Sequence, residues 1–452
     1  MARKKYLLYI SVGVIILIIL LLIFWKKKPT GDNHGQKGDK VHLSWNILFS
    51  PGTDKPTRDK TIQNIKNFIK DYKDADGKLL DLPTLPVEAF CPCDTLLYTL
   101  NFDPIIGGVG KSLTSPPPSS VPTANGDYAG VSKLSENISI DESFQFNPPD
   151  SFLKDPKQRE ARPTGIARIY SEKIDPNQIL AIIDSGIDTA LFSGEKRKLI
   201  WAESGGAPTI FNFLPNQPIG DFVDNTSHKH GSAVAALALA AMGNTSTTIY
   251  PRIMILKALD GNNAGSIFSV SCALSYAVQK NATIINASLG YYGEVDSILQ
   301  HYVNMTTTHV PAIELFASAG NTRGSHDPAL LCKTPTDSVL KSPRLFYPAC
   351  FRSATSDNIT SVTQLNDLST ACFYQNFSDQ FVSLGVHNRD PFKCCFMSVQ
   401  FTNGIEYYEG TSFAAPIASG LRMRSILTGV PMGISQNSTS RATIMGSYVE
   451  YP

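Results

Sequence analysis

Four short apolar runs, each ending in polar residues and glycine, constrain the fold of this chain most strongly. They are ILAIIDSG, IMILKALDG, TIINASLG and AIELFASAGN, all between residues 179 and 321. A strand that is covered on both faces is apolar throughout, whereas a strand with one face in water alternates between apolar and polar residues. The four runs therefore predict a parallel sheet buried between two layers.

Two further apolar stretches, GSAVAALALAAM and SVSCALSYAVQK, lie between these runs and have the length of helices. Strands that alternate with helices form parallel crossover units. We therefore predict the α/β class, with a doubly wound parallel sheet and helices on both faces. Ligands bind beyond the carboxyl ends of the strands in such a sheet, so polar residues at strand ends are the first site candidates.

The N-terminus carries a different signal, an uncharged and mostly apolar run over residues 6–25 with basic residues on both sides. About 20 such residues cross a bilayer as a helix. The run ends in Phe24, Trp25 and three lysines rather than in a small-residue cleavage site, which favours a retained anchor over a cleaved signal peptide. The basic flanks nearly balance and do not orient the anchor.

Composition divides the chain into five segments. The predicted small αβ region contains the strand-like KVHLSWNILF and DTLLYTLNF and the helix-like TIQNIKNFIKDYK, and the next segment is rich in Pro and Ser. The segments are a transmembrane anchor at 1–28, a polar spacer at 29–39, the αβ region at 40–110, a linker at 111–163 and the main domain at 164–452.

Charge and cysteine content limit the classes of binding partner and bear on whether the protein is in an oxidising compartment. Lys and Arg number 40 against 39 Asp and Glu, so we expect no nucleic-acid partner, which normally requires a basic excess. Eight cysteines behind an export-type segment permit disulfides and leave their pairing open. Cys91-Pro92-Cys93 lacks the spacing of a redox or zinc motif, which favours structural or bridging thiols.

Four residues at strand or helix ends are candidates for chemistry: Asp184, His230, Asn321 and Ser412. Each alone has a structural interpretation, as a turn residue, a packed histidine or a helix cap. Ser412 opens the helix-like GTSFAAPIASG, where free backbone N–H groups can bind an oxyanion. A serine nucleophile needs a general base, and the local sequence alone does not choose between His228 and His230.

The blocks AIIDSGID, HGSAVAA, INASLG, ASAGN and GTSFAAPIASG, spread over about residues 165–430, resemble those of subtilisin-like serine proteases, the subtilases. The resemblance implies Ser412 as the nucleophile, His230 as the general base and Asp184 as the residue that orients the imidazole. It implies Asn321 as an oxyanion donor together with the Ser412 backbone N–H. His228 lies outside the histidine block.

The same resemblance implies where substrate binds. Ser288, Leu289 and Gly290 match the strand that pairs with an extended peptide, and Gly265 and Ser266 match the facing strand. The expected partner is therefore a protein or peptide in extended conformation. We expect no redox or nucleotide cofactor; calcium often supports subtilases, but no acidic loop is convincing enough to name its ligands, and the oligomeric state stays open.

Two departures from the family pattern are visible: the chain runs Thr189-Ala190-Leu191 where His or Asn is usual, and Ala233 stands where a second histidine is common. Neither removes a triad member.

Residues 40–110 occupy the place of a subtilase propeptide, although a plain N-terminal extension is an equal alternative. The anchor, the family's usual export and the even cysteine count predict a single-pass membrane protein with its catalytic domain outside the cytoplasm. As a propeptide, this segment would be separated by cleavage within 111–163, which would release the catalytic domain from the anchor.

Two other functions compete with peptide hydrolysis. A catalytically inactive binding protein on the same fold is disfavoured because all four catalytic positions are filled. A metal-dependent hydrolase would use Asp221, Asp224, His228 and His230 as ligands in one coordination sphere. No helical His-Glu motif supports the second alternative.

Overall fold

The structure is a computed structural model that describes fifteen ranges of the chain. No helix within these ranges is long and apolar enough to cross a membrane, and the predicted anchor at 6–25 lies outside them. The ranges are 43–70, 87–102, 128–131, 138–139, 173–205, 208–243, 248–293, 295–321, 345–351, 358–365, 371–372, 375–377, 381–388, 397–436 and 447–451.

A large α/β body, called the main domain (residues 173–451), contains the four apolar runs of the sequence. Its strands are β6 (Ile174–Asp184), β7 (Tyr250–Lys257), β8 (Ala264–Gly265), β9 (Ile284–Ala287), β10 (Tyr291–Gly293), β11 (Glu314–Ser318), β12 (Leu345–Tyr347), β13 (Ile359–Leu365), β14 (Leu384–Asn388), β15 (Met397–Phe401), β16 (Gly404–Tyr408), β17 (Ile434–Gln436) and β18 (Ser447–Tyr451). Its helices are α2 (His230–Ala241), α3 (Ile267–Gln279), α4 (Ser297–Thr308) and α5 (Thr411–Thr428).

The central sheet of the main domain has eight strands in the order β17-β18-β14-β13-β11-β9-β6-β7. All neighbouring pairs are parallel except β17 with β18. The prediction of an α/β fold with a mostly parallel sheet is confirmed. After β7 the chain crosses back over β6 to form β9, so the winding direction reverses beside the carboxyl end of β6, where such sheets bind ligands.

Helices cover both faces of this sheet, as alternate residues of β6 show. Ile179, Ala181 and Ile183 belong to the apolar core that contains α3 and α4, whereas Leu180 and Ile182 belong to the core that contains α2 and α5. Successive side chains of a strand point to opposite faces. Burial of both faces explains why the run ILAIID has no polar alternation.

Helices α2 and α5 pack closely against each other on one face of the sheet. A Cβ on Gly420 of α5 would lie 2.1 Å from the carbonyl oxygen of Ala238 in α2. Only glycine permits this separation of the two backbones. The close crossing holds the N-terminal ends of the two helices, at His230 and Thr411, in a fixed relation.

A second body, called the N-terminal unit (residues 43–102 and 128–131), packs against α3 and α4. It consists of β1 (Leu43–Phe49), α1 (Lys55–Lys70), β2 (Val87–Cys91), β3 (Asp94–Phe102) and β4 (Tyr128–Val131), with sheet order β2-β3-β1-β4. Strand β4 therefore lies within the segment for which composition predicts a linker. A further strand in that segment, β5 (Ile138–Ser139), pairs with β8 of the main domain.

Candidate active site

Asp184 is the last residue of β6 and is buried. Its Oδ1 accepts a hydrogen bond from the backbone N–H of Ser185 at 2.8 Å and lies 2.8 Å from His230 Nδ1. A carboxylate only accepts hydrogen bonds, so the imidazole donates its Nδ1 proton to Asp184. The other ring nitrogen, Nε2, is then the acceptor.

His230 is the first residue of α2 and is completely buried. Its Nε2 has no hydrogen-bond partner within the described part of the chain, although buried polar atoms are normally paired. The imidazole centroid lies 5.0 Å from the ring centroid of Phe413, the residue that follows Ser412. The unpaired nitrogen thus sits beside the start of α5.

Ser412 is the second residue of α5 and is buried at the helix N-terminus. The preceding Gly410 has a φ of 137°, which residues with a Cβ rarely adopt, and it provides no side-chain cap. The first N–H groups of a helix have no partner within the helix. Gly410 therefore offers no side chain that could accept from the backbone N–H of Ser412.

Asn321 lies buried beyond the end of β11, next to the same helix start. Its Oδ1 accepts from the backbone N–H of Thr411 at 3.0 Å, which fixes the orientation of the amide. A Cβ on Gly410 would lie 3.1 Å from Asn321 Nδ2. The donor end of the amide is therefore held at the N-terminus of α5.

Of the residues predicted to bind substrate, Ser288 contacts the helix that carries Ser412. Ser288 Oγ donates to the backbone oxygen of Ser412 at 2.7 Å, and Leu289 is buried in the core. A Cβ on Gly290 would lie 2.4 Å from the backbone oxygen of Tyr347. These three residues directly follow β9, and Ser288 is the one that contacts Ser412.

The backbone of Gly265, in β8, pairs with Ile138 of β5. The side chain of Ser266 caps α3, because its Oγ accepts from the N–H of Ser269 at 3.1 Å while Ser269 Oγ accepts from the N–H of Ser266 at 2.9 Å. The Ser266 side chain therefore has a structural role as the cap of α3. Substrate contact by these residues stays a prediction.

A second buried carboxylate, Asp224, organises the Asp184–His230 pair. Asp224 accepts from Thr226 Oγ1 at 2.6 Å, and from the backbone N and Oγ of Ser232 in the first turn of α2 at 3.0 and 2.7 Å. The Ser185 hydroxyl lies between the two carboxylates, 3.1 Å from Asp224 Oδ1 and 3.2 Å from Asp184 Oδ1. Asp224 thereby ties the end of β6 to the start of α2.

Lys257 supports the same segment from the end of β7. Its buried ammonium donates to the backbone oxygens of Ser185, at 3.0 Å, and Val223. Burial lowers the pKa of Lys257, and the charges of Asp221 and Asp224 oppose this effect. The sequence signal for this role is a lysine inside the otherwise apolar run IMILKALDG.

The metal-hydrolase alternative does not match the geometry. Within the described ranges, the only group of three or more His, Cys, Asp or Glu side chains with metal-site spacing is Cys91, Cys93 and Cys272. The carboxylate of Asp224 is occupied by hydrogen bonds within the protein. His228 lies in the turn before α2, where its carbonyl accepts from Tyr408 OH at 2.8 Å.

The fold defines an α/β domain with a mostly parallel central sheet, and sequence comparison identifies the family. The model of the subtilase family matches residues 175–447, more than half of the chain. The chain therefore belongs to the subtilase family of serine proteases, and the resemblance seen in the sequence blocks is confirmed.

Individual relatives are distant. A thermophilic serine proteinase of Bacillus sp. (strain AK1) is 28% identical over 211 residues, 44% of each chain. Subtilisin-like protease 3 of Plasmodium falciparum is 25% identical over 229 residues, 49% of this chain and 27% of the relative. The chain thus matches less than half the length of these curated relatives.

One solved structure reproduces the fold across most of the chain. The epidermin leader peptide processing serine protease of Staphylococcus aureus has a TM-score of 0.55 and 13% identity. The alignment covers 90% of this chain and 98% of that one. At this level of identity the likeness concerns the fold alone.

Proposed function

We propose that this chain is a serine endopeptidase that hydrolyses peptide bonds with Ser412, His230 and Asp184. The observation that carries the proposal is the buried His230, whose Nδ1 lies 2.8 Å from Asp184 while its Nε2 is unpaired beside the helix that carries Ser412. An unpaired buried nitrogen is costly unless a ligand or reacting group uses it.

The chemistry follows from these positions. Ser412 Oγ attacks the scissile carbonyl while His230 Nε2 takes the hydroxyl proton, and the same nitrogen later protonates the leaving amine. Asp184 holds the proton on Nδ1 and stabilises the imidazolium. The tetrahedral oxyanion accepts hydrogen bonds from Asn321 Nδ2 and from the Ser412 backbone N–H.

An extended peptide is the substrate class that fits the flanking strands. The pairing of Ile138 with Gly265 supports this assignment, because it is an antiparallel peptide backbone already seated on β8. Main-chain pairing binds extended peptides largely independently of their sequence. We propose that substrate occupies the same edge, between β8 and residues 288–290.

We further propose that the N-terminal unit is a propeptide that blocks the cleft. Its sheet packs on α3 and α4, and the segment that follows it pairs with the proposed substrate strand β8. A peptide in this place excludes other substrates until it is cut and leaves. We expect the processing cut shortly after Ser139, which N-terminal sequencing of the purified active enzyme will locate.

We propose that the reaction uses no redox or nucleotide cofactor, because each proposed step is assigned to a side chain or to the backbone. Calcium stays an expectation from the family resemblance, and we propose no ligands for it. No step of the reaction is assigned to a metal.

We propose that residues 6–25 anchor the protein in a membrane, with the main domain on the non-cytoplasmic side. The disulfide between Cys91 and Cys272 supports this orientation, as do the disulfide-bonded Cys350 and Cys372. Disulfides persist in oxidising compartments. Carbonate extraction of membranes and protease accessibility in intact cells will test the anchor and its orientation.

Replacement of Ser412 tests the proposed reaction. We expect Ser412→Ala to abolish peptide hydrolysis and labelling by a fluorophosphonate, while the circular dichroism spectrum stays unchanged. The wild-type protein could instead bind peptides without hydrolysing them and without being labelled. That result would identify it as an inactive binding protein. Loss of wild-type activity on chelation, without labelling, would restore the metal-hydrolase alternative.

A further inference from the structure

Three cysteines meet where the N-terminal unit packs on the main domain. Cys91, at the end of β2, forms a disulfide with Cys272 in α3. The free thiol of Cys93 lies 3.2 Å from Cys91 Sγ and 3.8 Å from Cys272 Sγ. The disulfide joins two residues 181 positions apart, on opposite sides of the chain segment where a processing cut would fall.

We propose that the Cys91–Cys272 disulfide is a covalent latch that keeps the N-terminal unit on the main domain after that cut, and that a dithiol reductant opens it. The proposal rests on the proposed function of the N-terminal unit as a propeptide. It adds a second requirement for activation, because hydrolysis of one peptide bond would leave the two bodies joined.

Polar contacts around the latch hold the same surfaces together. Asp94 Oδ2 accepts from Tyr302 OH of α4 at 2.7 Å and lies 3.3 Å from Ser275 Oγ of α3. Gln279 Nε2 donates to the backbone oxygen of Cys93 at 3.0 Å. A covalent link makes re-docking of a cut inhibitor intramolecular, which raises its effective concentration far above that of a free fragment.

The neighbouring thiol of Cys93 is a poor attacking group for this disulfide. Burial raises the pKa of Cys93 to about 12, and only the thiolate attacks a disulfide. We therefore assign the step to an external dithiol. One thiolate of this reductant attacks one sulfur of the bond and releases the other cysteine as a thiolate, which leaves a mixed disulfide. The second thiolate of the reductant then attacks the first sulfur of the reductant and releases the remaining cysteine, so that Cys91 and Cys272 become thiols and the reductant becomes a disulfide.

The first experiment measures the covalent link without any activity. A recognition site for an exogenous protease is inserted between Ser139 and Lys173 of the full-length chain in the Ser412→Ala background, and the chain is cut after free thiols have been alkylated. We expect a single species on a denaturing gel without reductant and two fragments with dithiothreitol. Mass spectrometry should recover the peptides of Cys91 and Cys272 as one cross-linked species.

Matched variants assign the link to these two residues. Cys93→Ser should still give one species without reductant, whereas Cys272→Ser should give two. Separate fragments from the cut parent chain without reductant, or alkylated Cys91 in the uncut chain, would overturn the latch. The parent-chain result does not depend on any cysteine variant folding.

The second experiment uses the active enzyme with the same inserted site. After the cut, we expect peptide hydrolysis to rise by about 10²-fold only when dithiothreitol is added, and to rise without it in Cys272→Ser. Full activity of the cut but still linked enzyme would refute inhibition by the N-terminal unit. That result is distinguishable from failure of the latch, which the gel reports separately.

Discussion

The two helix N-termini that meet at the site differ in how their backbone donors are used. At the start of α2, Thr226 Oγ1, Ser185 Oγ and Asp224 Oδ2 accept from the N–H groups of His230, Gly231 and Ser232. At the start of α5, Asn321 Oδ1 accepts from the N–H of Thr411, but Gly410 provides no side-chain cap for the N–H of Ser412. The first end is closed by three side chains and the second is open at Ser412, which suits the proposed roles of His230 as a fixed base and Ser412 as a nucleophile.

The largest effect expected at the closed end comes from His230. His230→Ala should lower kcat by about five powers of ten or more, because the serine then has no base. His228→Ala should stay within about twofold of the parent, since the contact of His228 with Tyr408 uses its backbone carbonyl. Peptide hydrolysis by the two purified variants measures the contrast, and equal losses would contradict the assignment of the base.

At the open end, Asn321→Ala should lower kcat by about 10²–10³-fold with little change in KM, because one oxyanion donor is lost. Asn321 Oδ1 also accepts from Thr411 N, so truncation alone could disturb the helix start. Asn321→Asp keeps this acceptor and removes the donor, and it should be at least as impaired. A loss below tenfold in both variants would exclude Asn321 from the oxyanion site.

Asp224→Asn tests whether the hydrogen bonds of Asp224 to the first turn of α2 matter for catalysis. The variant loses charge-assisted hydrogen bonds worth about 1.5–3 kcal/mol each and should lower kcat by about 10–100-fold through displacement of His230. Asp221→Asn is the matched control, because this partly exposed carboxylate accepts from a neighbouring backbone N–H. A lower melting temperature with unchanged kcat would show that the network only stabilises the fold.

The smallest effect concerns Glu409, which precedes Gly410 at the open end. Burial raises the pKa of Glu409 to about 7 from its usual 4.5. Between these values the unfolded chain has lost the proton that the folded chain still holds, so the free energy of unfolding falls as pH rises from 4.5 to 7.

Glu409→Gln should therefore match the parent in stability below pH 4.5 and exceed it above pH 7. Thermal melts of both proteins across this range will measure the difference. A gap that does not change between pH 4.5 and 7 would mean that Glu409 does not titrate in the folded protein as its burial predicts.

The main domain was largely predictable because its strands are buried on both faces. The runs ILAIID and TIINA appear as β6 and β9, and GSAVAALALAAM appears as most of α2. Strands β13, β14 and β18 were not predicted, since their sequences contain polar residues such as Thr363, Gln364 and Glu450. Their place in the sheet depends on neighbours that are distant in sequence.

The sequence by itself determined the α/β class, the family and the identity of the residues proposed for catalysis, because buried strands and family blocks are local patterns. Only the tertiary structure decided that the carboxylate of Asp224 accepts several hydrogen bonds within the protein rather than binding a metal. It also decided that Cys91 pairs with Cys272. Both depend on segments far apart in the chain, whose distance is set by packing and not by any local preference.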